Sequence, residues 1–133
     1  TYGFDTGFVC HHRGWYDLRR EDMGALWEHI VLNELLGRLQ ERDIRYWRDK
    51  RGHEVDFVIA RRGGNPTAIE CKMSASDIDP SGLNAFRRQY PEGKNLVVAH
   101  DVDRGFRKLF GPNEIEFIGL DGLVEALSTP GRP

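Results

Sequence analysis

Two short segments, Glu54-Val55-Asp56-Phe57-Val58-Ile59 and Ala68-Ile69-Glu70-Cys71-Lys72, place ions at a spacing of two among apolar residues. Successive strand residues point to opposite faces. Glu54 and Asp56 therefore share one face with Val55, Phe57 and Ile59 on the other, and Glu70 and Lys72 share a face opposite Ile69 and Cys71. The intervening Gly63-Gly64-Asn65-Pro66 is a turn composition suited to a hairpin, in which Asp56, Glu70 and Lys72 converge on one spot. Two carboxylates and an ammonium taken out of water together are costly unless something uses their charge. Hard divalent cations such as Mg²⁺ bind one or two carboxylates and keep several waters for substrate phosphates. A nearby lysine can orient a water or neutralise charge developing on a phosphate. That is the chemistry of phosphodiester hydrolysis. A surface hairpin with merely solvated ions has the same spacing, so spacing by itself leaves both readings open.

The elements that must position these groups follow from periodicity. Residues 23–42, capped by Glu21 or Asp22, read as the longest helix. On its wheel Glu28 lies among Val31, Leu32, Leu35 and Leu39, in the middle of an apolar stripe. A carboxylate there must reach a cation or a polar site at the edge of the core, or else stand at the stripe's open end where its charge suits the helix dipole. Leu26, Ile30 and Gly37 fall on the opposite side, which predicts a second covered face open to a missing domain or a partner subunit. Ile44-Arg45-Tyr46-Trp47 reads as a strand turning through residues 49–52 into the Glu54 segment. Residues 42–62 hold seven basic residues, Arg42, Arg45, Arg48, Lys50, Arg51, Arg61 and Arg62, against four acids. Interleaved with Tyr46 and Trp47, they suit a phosphate backbone with stacked bases, although strand ends and turns carry solvated cations too.

After Lys72, residues 74–80 read as a polar loop. Residues 80–90 form a second helix, with Leu83, Phe86 and Tyr90 on one face and Arg87 and Arg88 leaving it. Asn95-Leu96-Val97-Val98-Ala99 is an apolar run fit for a central strand covered on both faces. Residues 115–120 read as a further strand and 123–127 as a short helix before a disordered tail, 129–133. At the start, residues 1–9 suggest a short strand running into a turn and 14–20 a loop. Cys10-His11-His12 lacks the spaced partners of a zinc site.

At 133 residues, 39% hydrophobic and 30% charged, the chain has the size and composition of one soluble domain, 1–128. No apolar run is long enough to span a membrane, and no signal peptide is present. Two cysteines make no disulfide framework, so a reducing cytoplasm is the expected location. A net charge of −2 confines any nucleic-acid contact to local clusters. The chain begins without Met, and a domain cut from a longer protein is the expectation.

The order of helix with an inward Glu, strand, strand with Asp, strand with Glu-x-Lys, helix and apolar strand resembles the core of the PD-(D/E)XK, or restriction-endonuclease-like, phosphodiesterase superfamily. The resemblance implies an α/β (α+β) fold of αβββαβ order, with a mixed central sheet flanked by helices on both faces. It also implies catalytic roles for Glu28, Asp56, Glu70 and Lys72. In such sites the acids at Asp56 and Glu70, the main-chain carbonyl of Cys71 and, through water, Glu28 bind Mg²⁺, for which Mn²⁺ substitutes, while the lysine supports the attacking water. DNA is the implied substrate, with Arg45, Arg48, Lys50, Arg51, Arg87 and Arg88 on its backbone, and a homodimer is expected where both strands are cut. A closer resemblance covers nearly the whole chain. Tyr2-Gly3-Phe4-Asp5-Thr6-Gly7-Phe8, Gly24-Ala25-Leu26-Trp27-Glu28, Tyr46-Trp47-Arg48-Asp49 and the two acid segments are similar to the C-terminal domain of unknown function found behind AAA-type ATPase modules in bacteria and archaea. It differs at His29, where that family commonly has Asn, and the Gln-x-x-x-Tyr motif of some nuclease relatives is not matched by Gln89-Tyr90. There is no phosphate-binding GxxxxGK[ST] loop, so an ATPase module would lie outside this chain. Two alternatives stand beside the nuclease: a catalytically silent nucleic-acid-binding or regulatory module of the same fold, and a purely structural dimerisation domain.

Overall fold

A computed structural model of the chain describes residues 20–38, 43–60 and 64–128. The first helix, α1, spans Arg20–Asn33 and continues as a widened π turn over Glu34–Arg38. Strands β1 (Ile44–Arg48), β2 (Glu54–Ile59) and β3 (Thr67–Lys72) follow, then a 3₁₀ turn at Ala75–Asp77 and α2 over Ser81–Gln89. The chain closes with β4 (Asn95–Ala99), β5 (Phe106–Phe110), β6 (Asn113–Ile118) and α3 (Leu120–Ser128). One six-stranded mixed sheet runs β1-β2-β3-β4-β6-β5. The β3–β4 and β4–β6 pairs are parallel and the other three antiparallel. The fold is α+β, and its first six elements follow the expected αβββαβ order.

Helices cover both faces of the sheet. On one, Trp27, Val31 and Leu35 of α1 and Leu123 and Leu127 of α3 pack on Phe57, Ile59, Ile69, Leu96 and Val98. On the other, Leu83 and Phe86 of α2 pack on Val55, Val58, Ala68, Val97, Ile115 and Phe117. β4 lies between these layers and all five of its residues are buried, which is why it is apolar from Leu96 to Ala99, with the buried Asn95 hydrogen-bonded at its start. Leu96, Val97 and Val98 each contribute about 1.5–3 kcal/mol of burial. A buried hydrogen bond from Trp27 Nε1 to Val98 O at 2.9 Å fixes α1 against this strand.

The hairpin of β2 and β3 forms as expected, but the strict alternation within β2 does not hold. Val55 belongs to the α2 layer, whereas Phe57 and Ile59 belong to the α1 layer. Trp47 pairs with Val55 and Arg45 with Val58, so two residues of β1 advance while three of β2 do. Asp56 and Phe57 thus share one place in the ladder as a β-bulge, a device that re-aims side chains. Ile30, expected on a second covered side of α1, packs partly buried against the same core as Trp27. The α-helical geometry ends at Asn33, and the π turn keeps Leu35 buried while Leu36 emerges to 45% exposure. Strand β5, an exposed edge strand paired only to β6, has no counterpart in the sequence reading. The strand expected at 115–120 occupies Asn113–Ile118, and Leu120 instead opens α3. The readings for residues 1–19 (including Cys10-His11-His12), for 39–42, for 61–63 (including Arg61 and Arg62) and for 129–133 lie outside the described residues. No helix among the described residues is long and apolar enough to cross a membrane.

Candidate active site

The bulge places Asp56 where the β2–β3 ladder ends. Pairing runs from Ile59 with Thr67 to Phe57 with Ile69, and there the Asp56 carboxylate takes over: its Oδ2 accepts the Cys71 N–H at 2.9 Å. Asp56 therefore sits beside the main chain of Cys71, between the two helical layers. Glu70, on β3, is buried at 6% exposure and hydrogen-bonded to Asp56. Burial first, then the Asp56 charge and that hydrogen bond, push the Glu70 carboxyl up to about 9; Lys72 opposes the shift and Asp79 adds to it. The balance of these causes favours the neutral form of Glu70, the form able to donate a hydrogen bond to Asp56.

Glu28 approaches from α1. Burial, then the charges of Asp56 and Glu54, raise its carboxyl above the usual carboxylate range, which locates it beside these two acids. The helical stripe explains its position: Val31, Leu32 and Leu35 anchor the same side of α1 in the core, leaving Glu28 half-buried at its margin. Cys71 packs against that core too, and burial followed by Asp56, Glu28 and Glu70 holds its thiol well above the ordinary range. Of the four residues expected to act together, Asp56 interacts with both Glu28 and Glu70, and Glu70 with Lys72, so the set drawn from α1, β2 and β3 is linked through Asp56 and Glu70.

Three further residues complete the surroundings, and the sequence reading did not single them out. Gly82, in the first turn of α2, lies so close to β2 that a Cβ there would stand 2.2 Å from Glu54 O and 3.4 Å from Glu70 Oε2. Only glycine permits that approach. Asp79 accepts the Ser81 N–H at 3.0 Å, and this contact and the Ser81 hydroxyl bond hold its carboxyl below the usual range, with Lys72 and His53 adding to the effect. His53 is fixed through Nδ1 to Asp49 Oδ2 at 2.8 Å. The signal for Asp79 and Gly82 was an Asp-Pro-Ser-Gly run at a helix start, the chemistry of a capping turn.

Among the basic residues, Arg45, Arg48, Lys50, Arg51 and Arg88 are exposed. Arg87 is a correction: it is buried at 4% exposure, and its guanidinium donates to Asn95 Oδ1, to the carbonyls of Tyr90 and Glu92 and to those of Pro66 and Lys94, at 2.6–3.0 Å. All five N–H donors are thereby used and none is left for a phosphate. Burial lowers it to about 10, against a small opposing effect of Glu92. Helical spacing put Arg87 beside the apolar face of α2; the wall of carbonyls that receives it comes from the segment just after α2 and from Pro66 before β3.

Among the described residues no three His, Cys, Asp or Glu side chains form a ready-made metal ligand set. The donors that do converge, a buried carboxyl forced to keep a proton against a second carboxylate, suit a hard cation that takes the proton's place and retains waters. No curated protein matches the chain. Residues 23–115 match a family described as a domain of unknown function, DUF4143, over more than half of the length, and the chain belongs to that family.

Proposed function

We propose that the domain is a restriction-endonuclease-like, PD-(D/E)XK nuclease that hydrolyses phosphodiesters of DNA with Mg²⁺, or Mn²⁺ in its place. The observation that carries this reading is the buried Glu70 carboxyl against Asp56, with Lys72 acting on Glu70 and Glu28 of α1 acting on Asp56. Asp56, Glu70 and the Cys71 main chain would hold the cation, with Glu28 acting through water. A cation bound there stabilises negative charge on phosphate oxygens and acidifies a bound water. Lys72 orients the attacking water and stabilises charge developing on the phosphate. The exposed Arg48, Lys50 and Arg51 grip the flanking backbone. The αβββαβ order supports the same assignment. An AAA-type ATPase module, a cytoplasmic setting and a dimer for double-strand cutting belong to this proposal.

The second reading, a silent nucleic-acid-binding or regulatory module, is favoured by the lack of three preassembled ligands among the described residues. Cleavage of labelled single-stranded, duplex and four-way-junction DNA decides between them. The expected result is product that requires Mg²⁺ or Mn²⁺ and falls at least about a hundredfold in Asp56→Ala and in Lys72→Ala. Cutting that survives Asp56→Ala rules out this site; folded protein that cuts nothing but binds Mg²⁺ points to a nuclease that needs its ATPase module, and folded protein that neither cuts nor binds metal is the silent module.

A further inference from the structure

The turn joining β1 to β2 and the end of α2 enclose an open groove of about 580 Å³, lined by Trp47, Arg48, Asp49, Lys50, Arg51 and Gln89. Its volume lies within the range of pockets that hold small organic ligands. Its charge is positive because Asp49 is turned inward: Oδ1 accepts the N–H groups of Arg51 and His53 at 2.9 Å, and Oδ2 binds the His53 ring. The cations stay outside. Lys50 and Arg51 are exposed, and the exposed Arg48 lies over the Tyr46 ring, 5.9 Å from its centroid, with one long contact, 3.9 Å, to an exposed Glu54. The wall is aromatic and braced, since Trp47 meets Phe86 of α2 edge-on with ring centroids 5.4 Å apart. Tyr46, beside Trp47 in β1, and Tyr90, beside Gln89 at the end of α2 and tilted against Phe86 at 5.0 Å, are 60% and 45% exposed.

Cations interleaved with accessible rings are the composition that holds an unpaired nucleic-acid strand: the cations track phosphates and the bases stack on the rings. A duplex hides its base faces and offers a ring nothing to stack on. The groove also adjoins the acid cluster. Trp47 pairs with Val55 and Arg48 with Glu54, so the groove wall is one strand spacing, about 4.8 Å, from the segment that carries Asp56.

We infer that this groove binds an unpaired strand of nucleic acid and feeds it to the acid cluster; the second half of the statement rests on the hydrolytic reading, the first does not. Fluorescence anisotropy of labelled oligo-dT, oligo-U and a DNA duplex of equal length, in EDTA, measures binding without cleavage, and the first two probes separate DNA from RNA. The single strand is expected to bind at least about tenfold more tightly than the duplex. Lys50→Gln combined with Arg51→Gln weakens it about tenfold and lowers the log–log salt slope by about 1.4, at 0.7 per lost cation. Both positions are exposed, so the double variant unfolds at the wild-type temperature; Trp47→Leu, less safe for folding, adds a further several-fold loss. Equal affinity for the duplex, no binding at all, or a double variant that binds like wild type overturns the inference. The two readings fail separately. Strand binding that needs Lys50 and Arg51 but leads to no cleavage keeps the groove and removes the hydrolysis. Asp56-dependent cleavage that the double variant performs like wild type keeps the hydrolysis and removes the groove.

Discussion

Glu70 and Arg87 are both buried ions, and they solve the cost of burial in opposite ways. Glu70 keeps a proton: its carboxyl is pushed to about 9 by burial and by Asp56. A group whose folded value lies above its ordinary 4.5 contributes stability that is fully present below about pH 4.5 and is lost as pH rises through about 9. Metal-free protein should therefore melt at progressively lower temperature between pH 5 and pH 9. Glu70→Gln keeps a donor for Asp56 without a titrating proton, so it should flatten that decline and stabilise the protein at pH 8 by about 1–2 kcal/mol. Calorimetry in EDTA across that range checks both, and a wild type whose stability rises with pH above 7 would count against a protonated Glu70. Arg87 keeps its charge instead and surrounds it with one side-chain and four main-chain oxygens. Arg87→Met strands those acceptors at about 1–3 kcal/mol each, less whatever water recovers. Urea unfolding should show a loss of at least about 3 kcal/mol. Arg88→Met, one residue along and exposed, should change stability by under about 0.5 kcal/mol.

Among the elements, α2 sets how closely the two acid-bearing strands are held, and it does so through Gly82. An added Cβ would meet Glu54 O at 2.2 Å, a main-chain atom that cannot swing aside. Gly82→Ala should push α2 off β2 at a cost of about 1–3 kcal/mol and displace the Glu70 carboxyl, so that thermal stability falls and, with it, the proposed metal-dependent cleavage. An alanine variant of wild-type stability would show that the helix rides more loosely than this packing allows. The same elements show what periodicity can and cannot deliver. The helical stripe placed Glu28 at the margin of the α1 core, and the apolar run of β4 marked the central strand, because burial writes directly into residue type. The β2 bulge was not legible: Val55, Phe57 and Ile59 look like one face of a regular strand, and only pairing with Arg45 and Trp47 of β1 shows the extra residue. Nor was β5, whose Phe-Arg-Lys-Leu-Phe is exposed along its length and so carries no burial pattern to read. Arg87 was misread for a related reason, since its partners are main-chain oxygens from loops, which leave no mark on side-chain chemistry.

At the scale of the whole molecule, the acids meet at a seam between layers. Glu28 belongs to the layer on one face of the sheet, the Gly82 contact of Glu70 to the layer on the other, and Asp56 stands between them at the end of the β2–β3 ladder. Burial first, and then neighbouring carboxylates, raise the Glu28 and Glu70 carboxyls, so each further negative charge at the seam is disfavoured. A cation bound between them replaces repulsion with ligation and ties α1, β2 and β3 together, so its binding must appear as global stability. Ligand at ten times its dissociation constant adds about 1.4 kcal/mol, which for a chain of 133 residues raises the melting temperature by roughly 3–6 °C. Because the Glu70 proton must leave for the cation to enter, the increment should be larger at pH 8 than at pH 6. Thermal denaturation with Mg²⁺ or Mn²⁺ titrated against Ca²⁺-free, EDTA-treated protein measures it. Asp56→Ala should abolish the increment while leaving the metal-free fold intact. An increment that persists in Asp56→Ala, or is independent of pH, would place the cation somewhere other than this seam.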